Sequence, residues 1–313
     1  MKRYAFPIEE IPLSSIILHD IRYKISKPEP AETLKKSISI HGILDPLLLI
    51  YCDGYYTIMA GHNRASLLND ANVISVHARV FDSFREDIFL EHGLMKNYHN
   101  ELGPIGKLKL FTLTAGCINN SSATRELGTK KLNLPPEILD DQDLRNNILN
   151  FPDMLLNYID GKDINYRTII ELAQGEQEQL QILAQWIGQI PMRVNIFKSI
   201  VDMTSDIIKR DHHIGHLYAI DIDSIQDRRM KELHLVETLR EIRYPEYSKL
   251  KNKASHIIEE ISKTGISVSM PEYFEGDTIS LLFTVSRRDG IQKLQEQVKG
   301  IKYGKISELL HML

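Results

Sequence analysis

The stretch Asp53-Gly-Tyr-Tyr-Thr-Ile-Met-Ala-Gly-His-Asn-Arg-Ala-Ser-Leu-Leu68 predicts a turn, a short strand, a glycine and the start of a helix in immediate succession. Asp53-Gly54 fits a tight hairpin turn, which needs a positive φ, and Tyr55 to Ala60 carries the β-branched and aromatic residues of a strand. A helix that begins near Asn63 directs its free N–H groups and the positive end of its dipole toward the preceding glycine. This arrangement indicates a site for a bound phosphate.

Two residues of this stretch favour an anion most directly. Gly61 lets the backbone approach a ligand closely, and Arg64 adds a planar, permanently charged fork that suits phosphate oxygens. Junctions of strand, glycine and helix are common, however, and most of them bind nothing. A purely structural turn therefore remains an alternative for the segment taken alone.

The residues before this stretch predict the other elements of a small α/β domain. Ile11-Pro-Leu-Ser-Ser-Ile16 and Asp20-Ile-Arg22 come first, and a helical pattern around Ile38 then ends at Gly42. The apolar run Leu47 to Ile50 leads directly into the hairpin. Strands and one helix thus precede the phosphate turn.

Four segments resemble, in order and spacing, the N-terminal domain of ParB partition proteins. The resemblance covers roughly the first third of the chain. It implies a small α/β fold shared with sulfiredoxin and, in many ParB members, a CTP–Mg site that works as a molecular switch. Sulfiredoxin chemistry is not expected, because it needs a cysteine where this chain has Gly61. The four segments are Ile11–Ile16, Ser39–Pro46, Tyr55–Arg64 and Val73–Val80.

The phosphate turn departs from the family pattern at an informative position. The family has Gly-Glu-Arg-Arg there, whereas this chain has Gly61-His62-Asn63-Arg64. His62 replaces the glutamate that is associated with turnover, and a histidine cannot act as a hard oxygen ligand for magnesium. The resemblance therefore implies nucleotide contacts from these four residues, with hydrolysis weak or absent.

The family's second phosphate motif, Glu-Asn-x-x-Arg-Glu, resembles Lys96-Asn-Tyr-His-Asn-Glu101. Asn97 and Glu101 match, whereas Lys96 replaces the acidic metal ligand. Two interpretations are open: the Lys96 ammonium provides the positive charge that magnesium would otherwise supply, or the site has decayed. Arg22 stands where the family has the arginine of a Gln-Pro-Arg box that faces the triphosphate, although a solvated surface arginine explains it almost as well.

Composition restricts the class of protein. A length of 313 residues suggests two or three domains, and 42% hydrophobic with 26% charged residues describes an ordinary folded protein. No apolar run approaches the roughly 20 residues of a membrane helix, and Met-Lys-Arg-Tyr lacks the apolar stretch of a signal peptide. We therefore expect a cytoplasmic protein without a membrane partner.

The sequence does not predict a metal site. Cys52 and Cys117 lack the spacing of zinc ligands, and the pair His212 and His216 alone does not make a metal site.

The charge balance limits how the chain could bind DNA. A net charge of −4 excludes coating of DNA by electrostatics, because such affinity comes largely from neutralised phosphates. Arg125, Lys130 and Lys131, within Asn119 to Lys131, are the best candidates for a local contact. ParB proteins have a helix-turn-helix at this point, but here an acidic segment follows, so the element is expected to be shortened or remodelled. A solvated basic face is the alternative for these residues.

The rest of the chain predicts helices and then a mixed region. Ser83-Phe-Arg-Glu86 predicts a capping box at a helix start, and Gly103-Pro104 opens the next helix. Two amphipathic helices around Pro245 precede two alternating strands near Ile266 and Ile279. One two-stranded hairpin needs helices over it or a second copy at its edge, so we expect a homodimer through this region.

These patterns together predict an α+β protein of three domains. Residues 1–102 form a ParB-like nucleotide-binding domain of the ParB/sulfiredoxin type. Residues 103–215 form an all-helical domain with a degenerate helix-turn-helix, and residues 216–313 form an α+β domain that serves dimerisation.

The favoured function is that of a ParB-like DNA-binding or partition-associated protein whose switch site takes CTP or another nucleoside triphosphate. No catalytic residue is assigned, and at most a weak triphosphatase activity is expected. Two other classes remain open. One is an enzyme of this fold, a nuclease or a kinase, in which His62, His99 and Glu101 supply acid–base groups. The other is a structural adaptor that has a vestigial nucleotide site and binds a protein partner.

Overall fold

The computed structural model describes residues 6–115, 121–190, 192–211, 214–284 and 290–313. The chain divides into two compact units, Met1–Val201 with Ile214–Ala219, and Asp202–His213 with Ile220–Leu313. The first unit contains a five-stranded sheet and many helices, and the second contains helices and a two-stranded hairpin. The predicted α+β fold class is confirmed. The two units do not separate residues 1–102 from 103–215, so that boundary stays a prediction.

The sheet of the first unit has the strand order β1-β5-β3-β4-β2. Strands β3 and β4 are antiparallel and are joined by Asp53 and Gly54, with φ of 47° and 91°, as the sequence predicts for a two-residue turn. Parallel pairs join β3 to β5 and β2 to β4, and β1 is antiparallel to β5. The strands are β1 (Glu9–Pro12), β2 (Ile16–Ile17), β3 (Leu47–Cys52), β4 (Tyr55–Ala60) and β5 (Ser75–Phe81).

In the described residues up to 190, ten helices alternate with and then follow these strands. A π-helical segment, Leu127–Lys131, continues directly from the fifth helix. The helices are α1 (Glu32–His41), α2 (His62–Asp70), α3 (Glu86–Tyr98), α4 (Pro104–Thr114), α5 (Ser121–Glu126), α6 (Pro136–Asp140), α7 (Gln142–Leu149), α8 (Asp153–Gly161), α9 (Tyr166–Ala173) and α10 (Gln177–Gln189).

The predicted capping box at Ser83 is wrong. Helix α3 begins at Glu86, and its N-cap is Arg85, whose side chain makes no capping hydrogen bond. The reason is tertiary packing. The ring of Phe84 stacks on Tyr23, with 4.6 Å between ring centroids, and it packs against the core beside β5. Residues 83–85 therefore stay outside the helix.

Helix α4 packs closely on the segment that precedes α1. A Cβ at Gly106 would lie 2.1 Å from the Ile25 carbonyl oxygen, so the two backbones touch here. Asp160 Oδ1, from α8, accepts hydrogen bonds from the N–H groups of Ile105 at 2.7 Å and Gly106 at 3.3 Å. A carboxylate at a helix N-terminus satisfies its free donors and complements its dipole.

The remaining elements include the predicted pair of helices around Pro245 and the predicted hairpin. In the second unit, β6 and β7 pair antiparallel with Ile266 opposite Phe283, and Ile257 and Ile261 pack under this hairpin. Among the described residues, no helix is long and apolar enough to cross a membrane. The elements are α11 (Val194–Asp211), α12 (Gly215–Tyr218), α13 (Arg228–Arg243), α14 (Pro245–Ser262), β6 (Ile266–Ser269), β7 (Ser280–Phe283), α15 (Gly290–Lys299) and α16 (Tyr303–Leu310).

Asp160 gives the first unit a pH-dependent stability. Burial raises the pKa of its carboxyl to about 6, although hydrogen bonds from the Ile105 and Gly106 N–H groups oppose this shift. Because the folded pKa lies above the unfolded value, the folded state holds the proton more tightly. The contribution of Asp160 to the free energy of unfolding therefore falls as the pH rises from about 4 to about 6. We expect Asp160→Asn to gain stability relative to the wild type across this window, by up to about 3 kcal/mol.

Urea unfolding followed by the fluorescence of Trp186, the single tryptophan, measures this difference. Trp186 is buried in α10, which packs against α8, so its emission reports on the unit that contains Asp160. Asp143→Asn, at an exposed aspartate of α7, is the matched control. A stability difference between Asp160→Asn and the wild type that stays constant from pH 4 to pH 7 would contradict the assignment.

Candidate functional site

The candidate site is built where β4 ends and α2 begins. Gly61 is the N-cap of α2, with a left-handed φ of 107°, and no side chain caps this helix. A Cβ at Gly61 would lie 2.6 Å from Cδ2 of the buried Leu47, so both backbone conformation and space require glycine. The first N–H groups of α2 and the positive end of its dipole therefore remain without a capping side chain.

Arg64 is held beside this turn by backbone carbonyls. Its Nη1 donates to the Asp45 carbonyl and, at 3.3 Å, to the Pro46 carbonyl. The opposite edge of the guanidinium lies against Gly61, because a Cβ there would be 3.2 Å from Nη2 and 3.4 Å from Nε. Two N–H donors in a fixed fork thus lie at the start of α2, in the geometry that suits two oxygens of one phosphate.

Lys96 and Glu101, from the second sequence motif, lie close to Arg64. Lys96 Nζ is 2.6 Å from Glu101 Oε2, so the glutamate is already paired with a cation. Burial lowers the pKa of His92 to about 4; the charges of Lys96 and Arg64 lower it further, and that of Glu101 raises it. The structure therefore brings residues of both motifs around the half-buried imidazole of His92.

The two asparagines of the site bind backbone carbonyls. Asn63 Nδ2 donates to the Lys27 carbonyl at 3.1 Å, which ties α2 to the segment before α1. Asn97 Nδ2 donates to the Lys131 carbonyl at 2.6 Å, which ties α3 to the end of the π-helical segment. One hydrogen bond thus connects a predicted nucleotide residue to a predicted DNA residue.

His62 is buried, with 8% of its surface exposed, and its Nε2 has no hydrogen-bond partner. Burial lowers the pKa of His62 to about 3, the nearby Lys24 and Lys109 lower it further, and a hydrogen bond with the Asp20 backbone opposes this. The imidazole is neutral at neutral pH and titrates far from it. Since an effective acid–base group needs a pKa near the operating pH, these values argue against a catalytic role for His62.

Arg22 lies at the edge of the same region. Its Nε is 2.9 Å from Asp20 Oδ2, and 66% of its side chain is exposed. The hydrogen bond and charge of Asp20 raise the pKa of Arg22. Arg22 is therefore linked to the site by its ion pair with Asp20, and Asp20 lies beside His62.

Lys24 and Lys109 belong to the site although the sequence did not assign them. Lys24 Nζ donates to the Pro28 carbonyl at 3.5 Å, and Lys109 Nζ donates to the Ile21 carbonyl at 2.8 Å. Burial lowers the pKa of both ammonium groups. Lys24 follows Arg22 by two residues, which is the one sequence signal that could have drawn attention to it. Lys109 stands two residues after Lys107, a basic pair that in the sequence is a candidate patch for DNA and not for this site, and its hydrogen-bond partner is 88 residues away.

The three predicted DNA residues lie on the exposed surface, and two of them form ion pairs. Arg125 Nη1 is 2.8 Å from Asp140 Oδ1, and Lys130 Nζ is 3.1 Å from Glu126 Oε1. Exposed pairs contribute roughly 0–1 kcal/mol, so phosphate oxygens could replace these partners at little cost. DNA contact by Arg125, Lys130 and Lys131 stays a prediction.

Parts of two predictions fall outside the described residues. The first is the predicted DNA segment Asn119–Lys131, whose first two residues lie within the undescribed range 116–120. The second is the histidine pair, of which His212 is not described. Within the ranges that the structure covers, no group of three or more His, Cys, Asp or Glu side chains could hold a metal ion. At the phosphate turn, Glu101 is already paired with Lys96, so it does not offer the free carboxylate that magnesium prefers as a ligand.

The comparisons with known proteins find one family and several solved structures. Residues 5–98 match the model of the ParB N-terminal domain. The C-terminally truncated ParB of Caulobacter crescentus, solved with CTP-γ-S, is 19% identical, with 58% of this chain and 98% of that chain covered and a TM-score of 0.24. The same protein with its centromeric parS site is 15% identical, with coverages of 62% and 97% and a TM-score of 0.25.

A Pnob8-like ParB-N domain is 14% identical, with 79% of this chain and 96% of that chain covered and a TM-score of 0.27. None of the curated proteins matches the chain. With TM-scores this low, the identification rests on the family match, whose range contains Gly61, Arg64 and Lys96. Residues 5–98 of this chain are therefore a ParB N-terminal domain.

Proposed function

We propose that this chain is a ParB-like, partition-associated DNA-binding protein whose N-terminal domain is a switch that binds CTP or another nucleoside triphosphate. The observation that carries the proposal is the Nε–Nη2 edge of Arg64 beside Gly61, at the uncapped start of α2. Helix N-termini and arginine forks both bind phosphate oxygens in proteins.

The charges around this place support the same ligand class. Lys24, Arg64 and Lys109 are partly buried, and burial lowers the pKa of each. In the described part of the chain, their hydrogen bonds go to backbone carbonyls and none of them forms an ion pair. Burying a cation without a counterion costs free energy. A bound polyphosphate would act as the counterion and so lower this cost.

The contacts of α3 suggest how binding would act as a switch. A nucleotide at Arg64 changes the field at Lys96 and Glu101, and Asn97 in the same helix holds the end of the π-helical segment Leu127–Lys131. Short π-helical segments often mark functional positions. A ligand shifts an equilibrium only by its preference for one arrangement, so we infer that CTP favours one placement of α3 and of the basic residues beyond it.

Magnesium is not part of the proposal. The chain has Lys96 and a paired Glu101 where a metal would need free carboxylates, and a neutral His62 where the family has glutamate. We infer that the Lys96 ammonium supplies the positive charge next to the phosphates.

Dimerisation is proposed through the second unit. The hairpin β6–β7 has only two strands, and Leu282 on β7 is exposed. An open two-stranded edge with an apolar side chain favours pairing with a second copy.

Calorimetric titration with each of the four triphosphates tests the nucleotide site. We expect Arg64→Ala to weaken binding by about thirtyfold or more, because a bidentate charge-assisted contact is lost. Arg64→Lys should fall between Arg64→Ala and the wild type, since it keeps the charge but loses the fork. Arg167→Ala, at an exposed arginine of α9, is the control and should bind as the wild type does.

Thermal unfolding of each variant shows whether it is folded. The proposal fails if the wild type binds no triphosphate, or if a folded Arg64→Ala variant binds as tightly as the wild type. Turnover of labelled triphosphate or nicking of supercoiled DNA would favour the enzyme class instead. Gel-shift assays that show no DNA binding, together with reproducible capture of one protein, would favour the structural adaptor.

The role of Lys96 predicts how binding depends on magnesium. We expect the wild type to bind CTP with affinities that agree within about threefold in EDTA and in magnesium. In EDTA, the Lys96→Gln variant should bind CTP about tenfold more weakly than the wild type, because one charged contact is lost. The measurement is the same titration in the two buffers, with Lys107→Gln as the control. Wild-type binding that requires magnesium would contradict the inference.

A further inference from the structure

Lys27, in the segment before α1, contacts three separate parts of the first unit. Its carbonyl oxygen accepts a hydrogen bond from Asn63 Nδ2, in the first turn of α2, at 3.1 Å, and its N–H donates to the Glu101 carbonyl at 3.3 Å. Its ammonium nitrogen lies 2.6 Å from Asp163 Oδ2, in the turn between α8 and α9. One residue thereby joins the phosphate turn, the second phosphate motif and the helices that follow.

The turn between α8 and α9 is held against the start of α4 from both sides. Asp160 accepts the first N–H groups of α4, and the Tyr166 hydroxyl donates to the Pro104 carbonyl at 3.0 Å. Asp163 itself has a left-handed φ of 50°, which residues other than glycine rarely adopt. Such a conformation persists where neighbouring contacts maintain it, and the ion pair with Lys27 is one of these contacts.

The contact between Lys27 and Asn63 concerns the ligand. The Asn63 amide group has two N–H hydrogens, and the bond to the Lys27 carbonyl uses one of them and fixes the plane of the amide. The second hydrogen and the amide oxygen are thereby oriented beside the uncapped start of α2. A side chain that is fixed before binding loses less conformational entropy when a ligand binds.

We propose that Lys27 and Asp163 are positioning residues for the nucleotide, because their ion pair holds the Lys27 carbonyl where it orients Asn63. This inference rests on the proposed nucleotide function and adds two residues that lie outside both phosphate motifs. The two charged groups act through the backbone of Lys27 and not by touching the ligand. Because a coupling free energy is reciprocal, a nucleotide that binds the oriented Asn63 also strengthens the attachment of the turn between α8 and α9.

Charge and position have opposite effects in the variant Asp163→Asn. If only charge mattered, removal of a carboxylate would strengthen the binding of a polyphosphate or leave it unchanged. Loss of the ion pair releases Lys27 and, through it, Asn63, so we expect Asp163→Asn to bind CTP about three- to fivefold more weakly than the wild type. Asparagine tolerates a left-handed φ as aspartate does, so this variant keeps the turn.

Titration calorimetry with CTP on the full chain measures this difference, and thermal unfolding shows that each variant is folded. Glu171→Gln, which breaks an exposed ion pair with Arg167 in α9, is the matched control and should bind as the wild type does. Lys27→Arg keeps the ion pair and should bind CTP within about twofold of the wild type. The double variant Lys27→Gln with Asp163→Asn should bind no more weakly than Lys27→Gln alone, because Asp163 acts only through Lys27.

Hydrogen–deuterium exchange gives a readout away from the ligand. In the wild type, saturating CTP should slow exchange of the amides of residues 162–164 by about threefold. In Asp163→Asn this protection should be absent, while protection at the start of α2 remains.

Two results would overturn the inference. One is a folded Asp163→Asn variant that binds CTP as tightly as the wild type or more tightly, and the other is wild-type exchange at residues 162–164 that does not respond to CTP. If Arg64→Ala still weakens CTP binding in either case, the positioning role is wrong and the proposed function stands. If the wild type binds no nucleotide, both fall.

Discussion

The left-handed conformation of Gly61 is the constraint on which the candidate site depends. Its missing Cβ allows β4 to turn into α2 against the buried Leu47, and it leaves room for the edge of the Arg64 guanidinium. Any side chain would meet both neighbours and adopt a strained φ. The helix start, its dipole and a fixed pair of N–H donors are thereby brought to one point, which is the physical basis for a phosphate site.

The surrounding contacts extend from this point to three other parts of the first unit. Asn63 holds the segment before α1, Lys96 and Asn97 involve α3, and Lys109 involves α4. The cationic side chains Lys24, Arg64 and Lys109 bind backbone carbonyls, whereas Lys96 is paired with Glu101. Carbonyls orient a cation without neutralising it, so the region keeps its positive charge within a chain whose net charge is −4.

Local signals in the sequence predicted the hairpin turn at Asp53-Gly54, the end of α1 at Gly42 and the start of α4 at Pro104, because each depends on the conformational preference of one or two residues. The start of α3 was predicted wrongly, since stacking of Phe84 on Tyr23 overrides the local preference for a cap. The arginine and glycine of the phosphate turn were predictable. The place of Lys109 in this site was not, because the basic pair Lys107 and Lys109 gives no sign of a partner 88 residues away.

Hydrogen–deuterium exchange of the full chain, with and without CTP, tests the central claim most directly, because the amides at the start of α2 are the groups that would bind phosphate. The account predicts that the amides of His62, Asn63 and Arg64 exchange at least about tenfold more slowly with saturating CTP. The exchange rates of the amides in the hairpin β6–β7, which the nucleotide does not contact in this account, should stay the same. Unchanged exchange at these three amides under saturating CTP would contradict it.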